Sequence, residues 1–249
     1  MSVADFGVTE TRLLGGRVVV FQPAKGYRTA IDAVLLAAAV PAQMGESALE
    51  LGTGVGAAAF ALAARVEGVH VTALEREAAF AELAKKGVAA NGFEGRVVVI
   101  PGDVLAPPKI VADGGFDHVF LNPPYVAAGT SRPSPDPLKR AATVEGEARF
   151  EDWLKCAAMA CKAGGTVTVI HLAQRVPEIV GGMAALGFGA QEVLMLAPKA
   201  GGKPKRAIIC GRLGATAGVT EHPPLVLHEA NGDYTAATEN VLRHAESLL

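Results

Sequence analysis

The residues with the most chemical character sit where apolar runs stop. Asn122-Pro123-Pro124-Tyr125 follows the run Phe116 to Leu121. Two consecutive prolines fix φ and offer no N–H, so the carbonyl between them is rigid and has no local partner. The tetrapeptide also reads as a stiff turn after a strand. Earlier, Ala48 to Leu51, with Glu50 inside it, ends in Gly52-Thr53-Gly54-Val55-Gly56, and a helical stretch follows at once. Glycines there let backbone approach a ligand, and the helix start presents N–H groups, so a nucleotide-like cofactor fits; a plain β–α turn is the other reading. Glu75 ends the next strand 23 residues after Gly52, about where an acid accepts from ribose hydroxyls in doubly wound folds. Asp103, with Val104 beside it, ends the third strand, where a carboxylate can accept from an adenine amino group. Singly, each acid is also an ordinary strand-end residue, and together they would suit a nicotinamide cofactor as well.

Such residues need a sheet whose strand ends share one edge. Strands are expected near 48–51, 69–74, 96–100, 117–121, 165–171, 191–196 and 206–210, with helices near 56–66, 77–90, 150–162 and 176–186 between most of them. That alternation is the mark of a parallel α/β sheet with helices on both faces. The segment Ala197 to Arg206 is too short for a crossover helix, so the last two strands should be antiparallel. Six parallel strands and one reversed strand result. Ahead of them, Leu13-Leu14, Gly15-Gly16 and Val18 to Phe21 read as a β-hairpin, and Thr29 to Asp32 as a capping box leading into a helix that Pro41 closes. The expected organisation is a hairpin and helix extension over the cofactor site at 1–45, the main domain at 46–214, and a C-terminal segment packing on it at 215–249. Residues 126 to 148 form a long Pro-rich connection of the kind that is usually functional.

Half of the 249 residues are hydrophobic and 19% are charged, which excludes a disordered chain. Neither a membrane span nor a secretory peptide is readable, so a cytoplasmic protein is expected. Cys156, Cys161 and Cys210 form no CxxC pair and the histidines no HExxH, which argues against a disulfide framework and a zinc site. With a net charge of −2, any nucleic-acid surface must be local.

Taken in order, the glycine turn, Glu75, Asp103 and Asn122-Pro123-Pro124-Tyr125 resemble the class I S-adenosylmethionine-dependent methyltransferases of planar nitrogens, whose Asn/Asp/Ser-Pro-Pro-aromatic motif is matched in full. The resemblance implies a Rossmann-like sheet and S-adenosylmethionine as cofactor, held by Glu50, Gly52, Thr53, Gly54, Gly56, Glu75, Asp103, Val104 and Asn122. It implies that the Asn122 side chain and Pro123 carbonyl each take one N–H of a conjugated amine, freeing its lone pair, while Tyr125 stacks on the target. No metal is needed, because the cofactor carries its own leaving group. The motif does not choose among adenine N6, glutamine N5, guanine N2 and cytosine N4.

Two further stretches narrow the choice. Gln22 to Ala37 and Leu225 to Thr235 resemble the opening and closing segments of the bacterial tRNA1(Val) (adenine-37-N6)-methyltransferase family. That likeness implies a tRNA substrate, and it makes Arg28 and Asp32 candidates for the cofactor's methionine end. The chain departs from many relatives in reading Ala142-Thr143-Val144-Glu145 where they carry Ala-Arg-His-Glu. Lys199, Lys203, Lys205, Arg206 and Arg212, with Arg132, Lys139 and Arg140 on the loop after the motif, are the expected RNA-binding cations; a solvated Lys-rich turn is the alternative. The rival functions are a protein-glutamine or small-molecule methyltransferase, a non-catalytic cofactor-binding module, and a nicotinamide oxidoreductase.

Overall fold

Short runs such as Leu49 to Leu51 and Val119 to Leu121 are apolar on consecutive residues because both faces of their sheet are covered. A computed structural model describes residues 7–25, 29, 31–125 and 147–249. The hairpin is β1 (Val8–Leu13) and β2 (Val18–Pro23), paired antiparallel through a tight turn at Leu14–Gly16. Next come α1 (Ile31–Ala39), β3 (Ser47–Leu51), α2 (Ala57–Arg65), β4 (His70–Glu75), α3 (Ala78–Ala90) and β5 (Val97–Pro101). The short α4 (Lys109–Ala112) leads to β6 (Phe116–Leu121), and α5 (Phe150–Ala160), β7 (Cys161–Leu172), α6 (Val176–Ala185), β8 (Phe188–Lys199) and β9 (Arg206–Leu213) complete the core. All seven expected strands and the four helices between them form. α4 lacked a legible signal, being a single turn.

The sheet order is β10-β8-β9-β7-β6-β3-β4-β5, where β10 is Val219–His228. β9 alone runs against its neighbours, as the short β8–β9 link requires. The eighth strand extends the expected seven at the β8 edge. β10 contains Pro223-Pro224, which donate no N–H, and its register with β8 shifts between His222 and Leu225. An edge strand tolerates this because one side needs no partner.

One face packs α1, α2, α3 and the hairpin around Phe60, Leu35 and Leu36. The other packs α4, α5 and α6 around Leu154, Ile179 and Met183. The hairpin docks on α3: the Asn91 carboxamide bonds both the N–H and the carbonyl of Val19 at 2.7 Å, and Lys86 lies 4.0 Å over the Phe21 ring. After β10, Thr235 caps α7 (Ala236–Glu239) by accepting from the Thr238 N–H. The tail then returns to α1, where Leu248 donates to the Ala38 carbonyl at 2.9 Å. Cys156, Cys161 and Cys210 are free and buried. No helix among the described residues is long and apolar enough to cross a membrane.

Candidate active site

Because β3, β4, β5 and β6 are parallel, their carboxyl ends share one edge. The chain leaves β3 toward β4 and β5 on one side and resumes at β6 on the other, so β3 and β6 flank the switch point where open sheets bind ligands. The glycine turn ends β3 and Asn122 follows β6, on adjacent strands. The two strongest motifs of the sequence therefore face one crevice.

The glycine turn is shaped by its neighbours. Gly52 has φ +69°, and a Cβ there would lie 2.7 Å from Trp153 Cη2; at Gly56, with φ +89°, it would lie 2.4 Å from Phe60 Cζ. Only glycine meets both demands. Beneath the turn, the Glu50 carboxyl accepts from the Thr53 hydroxyl at 2.5 Å and the Ala59 N–H at 2.9 Å. Burial drives its pKa up from 4.5 to about 8, with the Glu75 carboxylate adding to the rise. Glu50 thus ties the turn to the start of α2 as a largely neutral acid at pH 7. Glu75 is also buried, and its pKa is raised by burial. Its Oε2 accepts from the Gly54 N–H at 2.7 Å and its Oε1 from the Glu77 N–H at 2.8 Å. Asp103 accepts from Arg76 at 3.2 Å and from the Leu105 N–H at 3.0 Å, with Val104 buried beside it.

Across the crevice, Pro123 is buried while Asn122, Pro124 and Tyr125 are partly exposed. The Tyr125 hydroxyl donates to Asp32 Oδ2 at 3.1 Å, and Arg206 Nε meets the same oxygen at 3.2 Å. The Arg206 guanidinium also lies over the Tyr125 ring, 4.4 Å from its centre. Burial, then the Asp32 charge, keep the phenol protonated by raising its pKa well above 10. Arg206, expected as a phosphate-binding cation, is thus paired with Asp32 and stacked on Tyr125. Arg212 departs from the expectation that it borders the carboxyl edge. Arg206 pairs with Leu172 and Arg212 with Thr166, so the reversed β9 carries Arg212 to the opposite edge of the sheet, about 20 Å from Arg206. Lys199, Lys203 and Lys205 are exposed on the carboxyl side. Arg28, Arg132, Lys139 and Arg140, with Ala142 to Glu145, lie outside the described residues.

Sequence reasoning missed His171, near the end of β7. It is fully buried, edge-on to Tyr125 (5.0 Å between ring centres) and to Phe150 (5.3 Å). Its Nδ1 accepts from the Leu172 N–H at 2.8 Å, Arg175 Nη1 lies 3.4 Å from Nε2, and the ring also bonds the Pro124 backbone, whose sole polar group is a carbonyl. Burial, with Arg175 next, lowers the His171 pKa to about 4, so the imidazole is neutral at pH 7. A histidine within an apolar strand carries no local signal of such a role. Among the described residues, no three His, Cys, Asp or Glu side chains gather as a metal site.

The Methyltransferase small domain family matches residues 28–134. The tRNA1(Val) (adenine(37)-N6)-methyltransferase of Bacteroides thetaiotaomicron is 31% identical over 182 residues, covering 72% of this chain and 73% of that protein. The protein of the same name from Actinobacillus pleuropneumoniae is 28% identical, covering 85% and 87%. Among solved structures, a predicted O-methyltransferase from Agrobacterium tumefaciens superposes with a TM-score of 0.71 at 29% identity, covering 88% of this chain and 98% of its own. The chain belongs to the S-adenosylmethionine-dependent methyltransferases of the Methyltransferase small domain family, as a homologue of the tRNA1(Val) adenine-37 enzymes.

Proposed function

We propose that this methyltransferase acts on the exocyclic N6 amine of an adenine in tRNA. The observation that carries the reading is the place of Asn122-Pro123-Pro124-Tyr125 at the switch point, one strand from the glycine turn. The names of the curated relatives support the base and the class of RNA.

S-adenosylmethionine suits the residues present. The glycine cradle under Trp153 admits no side chain of its own, the Glu75 carboxylate, oriented by the Gly54 and Glu77 N–H groups, keeps acceptor capacity for a ribose hydroxyl, and Asp103 offers an acceptor for an adenine amino group. The cofactor supplies a methyl group on a positively charged sulfur, a leaving group that needs no acid.

The protein's task is the nucleophile. An amine conjugated with a purine gives its lone pair to the ring and attacks poorly. The Asn122 Oδ1 and the Pro123 carbonyl each accept one N–H, which holds the nitrogen pyramidal and aims its lone pair at the methyl. As positive charge develops on nitrogen, the same oxygens stabilise it and hold the surplus proton until water removes it. Pro124 has no N–H to compete for these acceptors, and its carbonyl is fastened to His171. Arg206 covers one face of Tyr125, and the base takes the other, a contact of about 1–3 kcal/mol. A stacked base is out of reach, so the adenine enters unstacked.

The test is to incubate the protein with methyl-labelled cofactor and tRNA from cells lacking its gene, then to analyse nucleosides by mass spectrometry. Label in N6-methyladenosine is expected. Label confined to protein glutamine or to an oxygen of a small molecule, with none in tRNA, would overturn the reading.

A further inference from the structure

The chemistry proposed above leaves one aromatic feature at the carboxyl edge unused. β10 runs parallel to β8 with His228 opposite Lys199, so its end rises on the same side of the sheet as the crevice. Just beyond it, the His228 and Tyr234 rings stack with centres 4.8 Å apart and planes 23° from parallel. The connecting turn is firmly built. Glu229 N–H donates to the Asp233 carbonyl at 2.8 Å, Thr235 N–H to the Leu227 carbonyl at 3.0 Å, and the Thr235 hydroxyl to the Val226 carbonyl at 2.7 Å. His228 Nδ1 meets the Gly232 carbonyl at 3.1 Å, which fixes the ring's rotation. Both rings remain partly exposed, and neither belongs to the hydrophobic clusters of the core. A stack that contributes so little to the core is available to a ligand.

Its surroundings favour nucleic acid. Lys199 donates to the Ala230 carbonyl at 3.0 Å, so the end of β8 and the turn form one wall. Lys203 and Lys205 stand exposed on the adjoining β8–β9 loop. The turn itself carries Glu229 and Asp233, which makes it a poor phosphate site, so the contact it offers is to a base and the phosphates fall to the lysines. From β6, which Asn122 follows, to β10 is four strand spacings, about 19 Å. That is a span of a few nucleotides, on the strand that presents the target.

We infer that the outer face of the His228–Tyr234 stack is a second RNA site, which takes an unpaired base a few nucleotides from the target while Lys199, Lys203 and Lys205 hold the intervening phosphates. The inference rests on the tRNA reading and assigns the surface that grips the substrate. An aromatic platform flanked by cations is the usual way to bind single-stranded RNA without reading its sequence.

The experiment measures binding of fluorescein-labelled bulk tRNA and methylation of the same tRNA by the full chain. Loss of one base stack, about 1–3 kcal/mol, corresponds to a roughly 5- to 150-fold weaker Kd for Tyr234→Ala. Tyr234→Phe should stay within about threefold of wild type, since a phenyl ring stacks as well. The loss should appear in KM for tRNA rather than in kcat, with S-adenosylhomocysteine affinity unchanged. Lys203→Gln with Lys205→Gln should lower the slope of log Kd against log salt by about one per lysine, a slope Tyr234→Ala leaves alone. Tyr234→Leu preserves bulk and checks against simple unfolding. Wild-type tRNA affinity in both Tyr234→Ala and Tyr234→Leu would overturn the second site while leaving the tRNA reading intact. Failure of the wild-type protein to bind or methylate any tRNA would overturn both.

Discussion

Replacing Glu50 by glutamine tests how the cofactor turn is held. The folded protein keeps the Glu50 proton up to a pH of about 8, whereas the unfolded chain releases it near 4.5. Between those values the native state binds the extra proton, so this group's contribution is fully present below pH 4.5 and is lost as pH rises through 8. The loss is about 1.4 kcal/mol per pH unit and about 5 kcal/mol in all. Burial is the cause, and the Thr53 and Ala59 donors offset only part of it. Glutamine keeps a neutral acceptor oxygen in the same place and has no proton to lose. Urea unfolding of wild type and Glu50→Gln should therefore give a stability difference that grows by about 3 kcal/mol in the variant's favour from pH 5.5 to 8.5. His171, whose pKa is depressed to about 4, loses stability in the opposite direction, as pH falls from 6.5, but this is common to both proteins and cancels. Parallel stability curves would show that Glu50 is ionised throughout and would refute the reasoning.

Other expectations follow from the same geometry. Asn122→Ala should lower kcat by about 10²- to 10³-fold, the usual cost of losing one preorganised polar contact to developing charge, while cofactor affinity by calorimetry stays within threefold; Glu75→Ala should do the reverse. Equal loss of both properties in Asn122→Ala would remove its assigned role. His171→Phe keeps the ring packing but strands the Pro124 carbonyl, so single-turnover methyl transfer should slow roughly tenfold, about 1.4 kcal/mol, with unchanged cofactor affinity. Trp153 is the only tryptophan and covers Gly52, so its fluorescence should report S-adenosylhomocysteine binding. In Gly52→Ala the added Cβ, 2.7 Å from that ring at a positive φ, should abolish this signal and weaken cofactor binding.

Much of the fold was legible because its signals are local. Each core strand is a short apolar run between turn residues, and parallel order follows once helices fill the gaps. The candidate crevice was legible for the same reason: the glycine turn, Glu75, Asp103 and Asn122 all follow strand ends, and a parallel sheet brings strand ends to one edge. Sequence alone thus determined the seven core strands with their directions and, through the family resemblance, the class of cofactor. Only the tertiary structure decided which distant residues meet there. Arg206 reaches Asp32 across 174 residues, and Arg212, six residues further on, is carried to the far edge by an antiparallel strand. β10 escaped the strand count because two prolines interrupt it, yet its pairing with β8 lifts His228 and Tyr234 beside the lysines. His171 looks like any core residue until the fold sets it against Pro124. These contacts depend on long-range pairing and burial, which no window of sequence contains, whereas strand ends and glycine turns are written in a few adjacent residues.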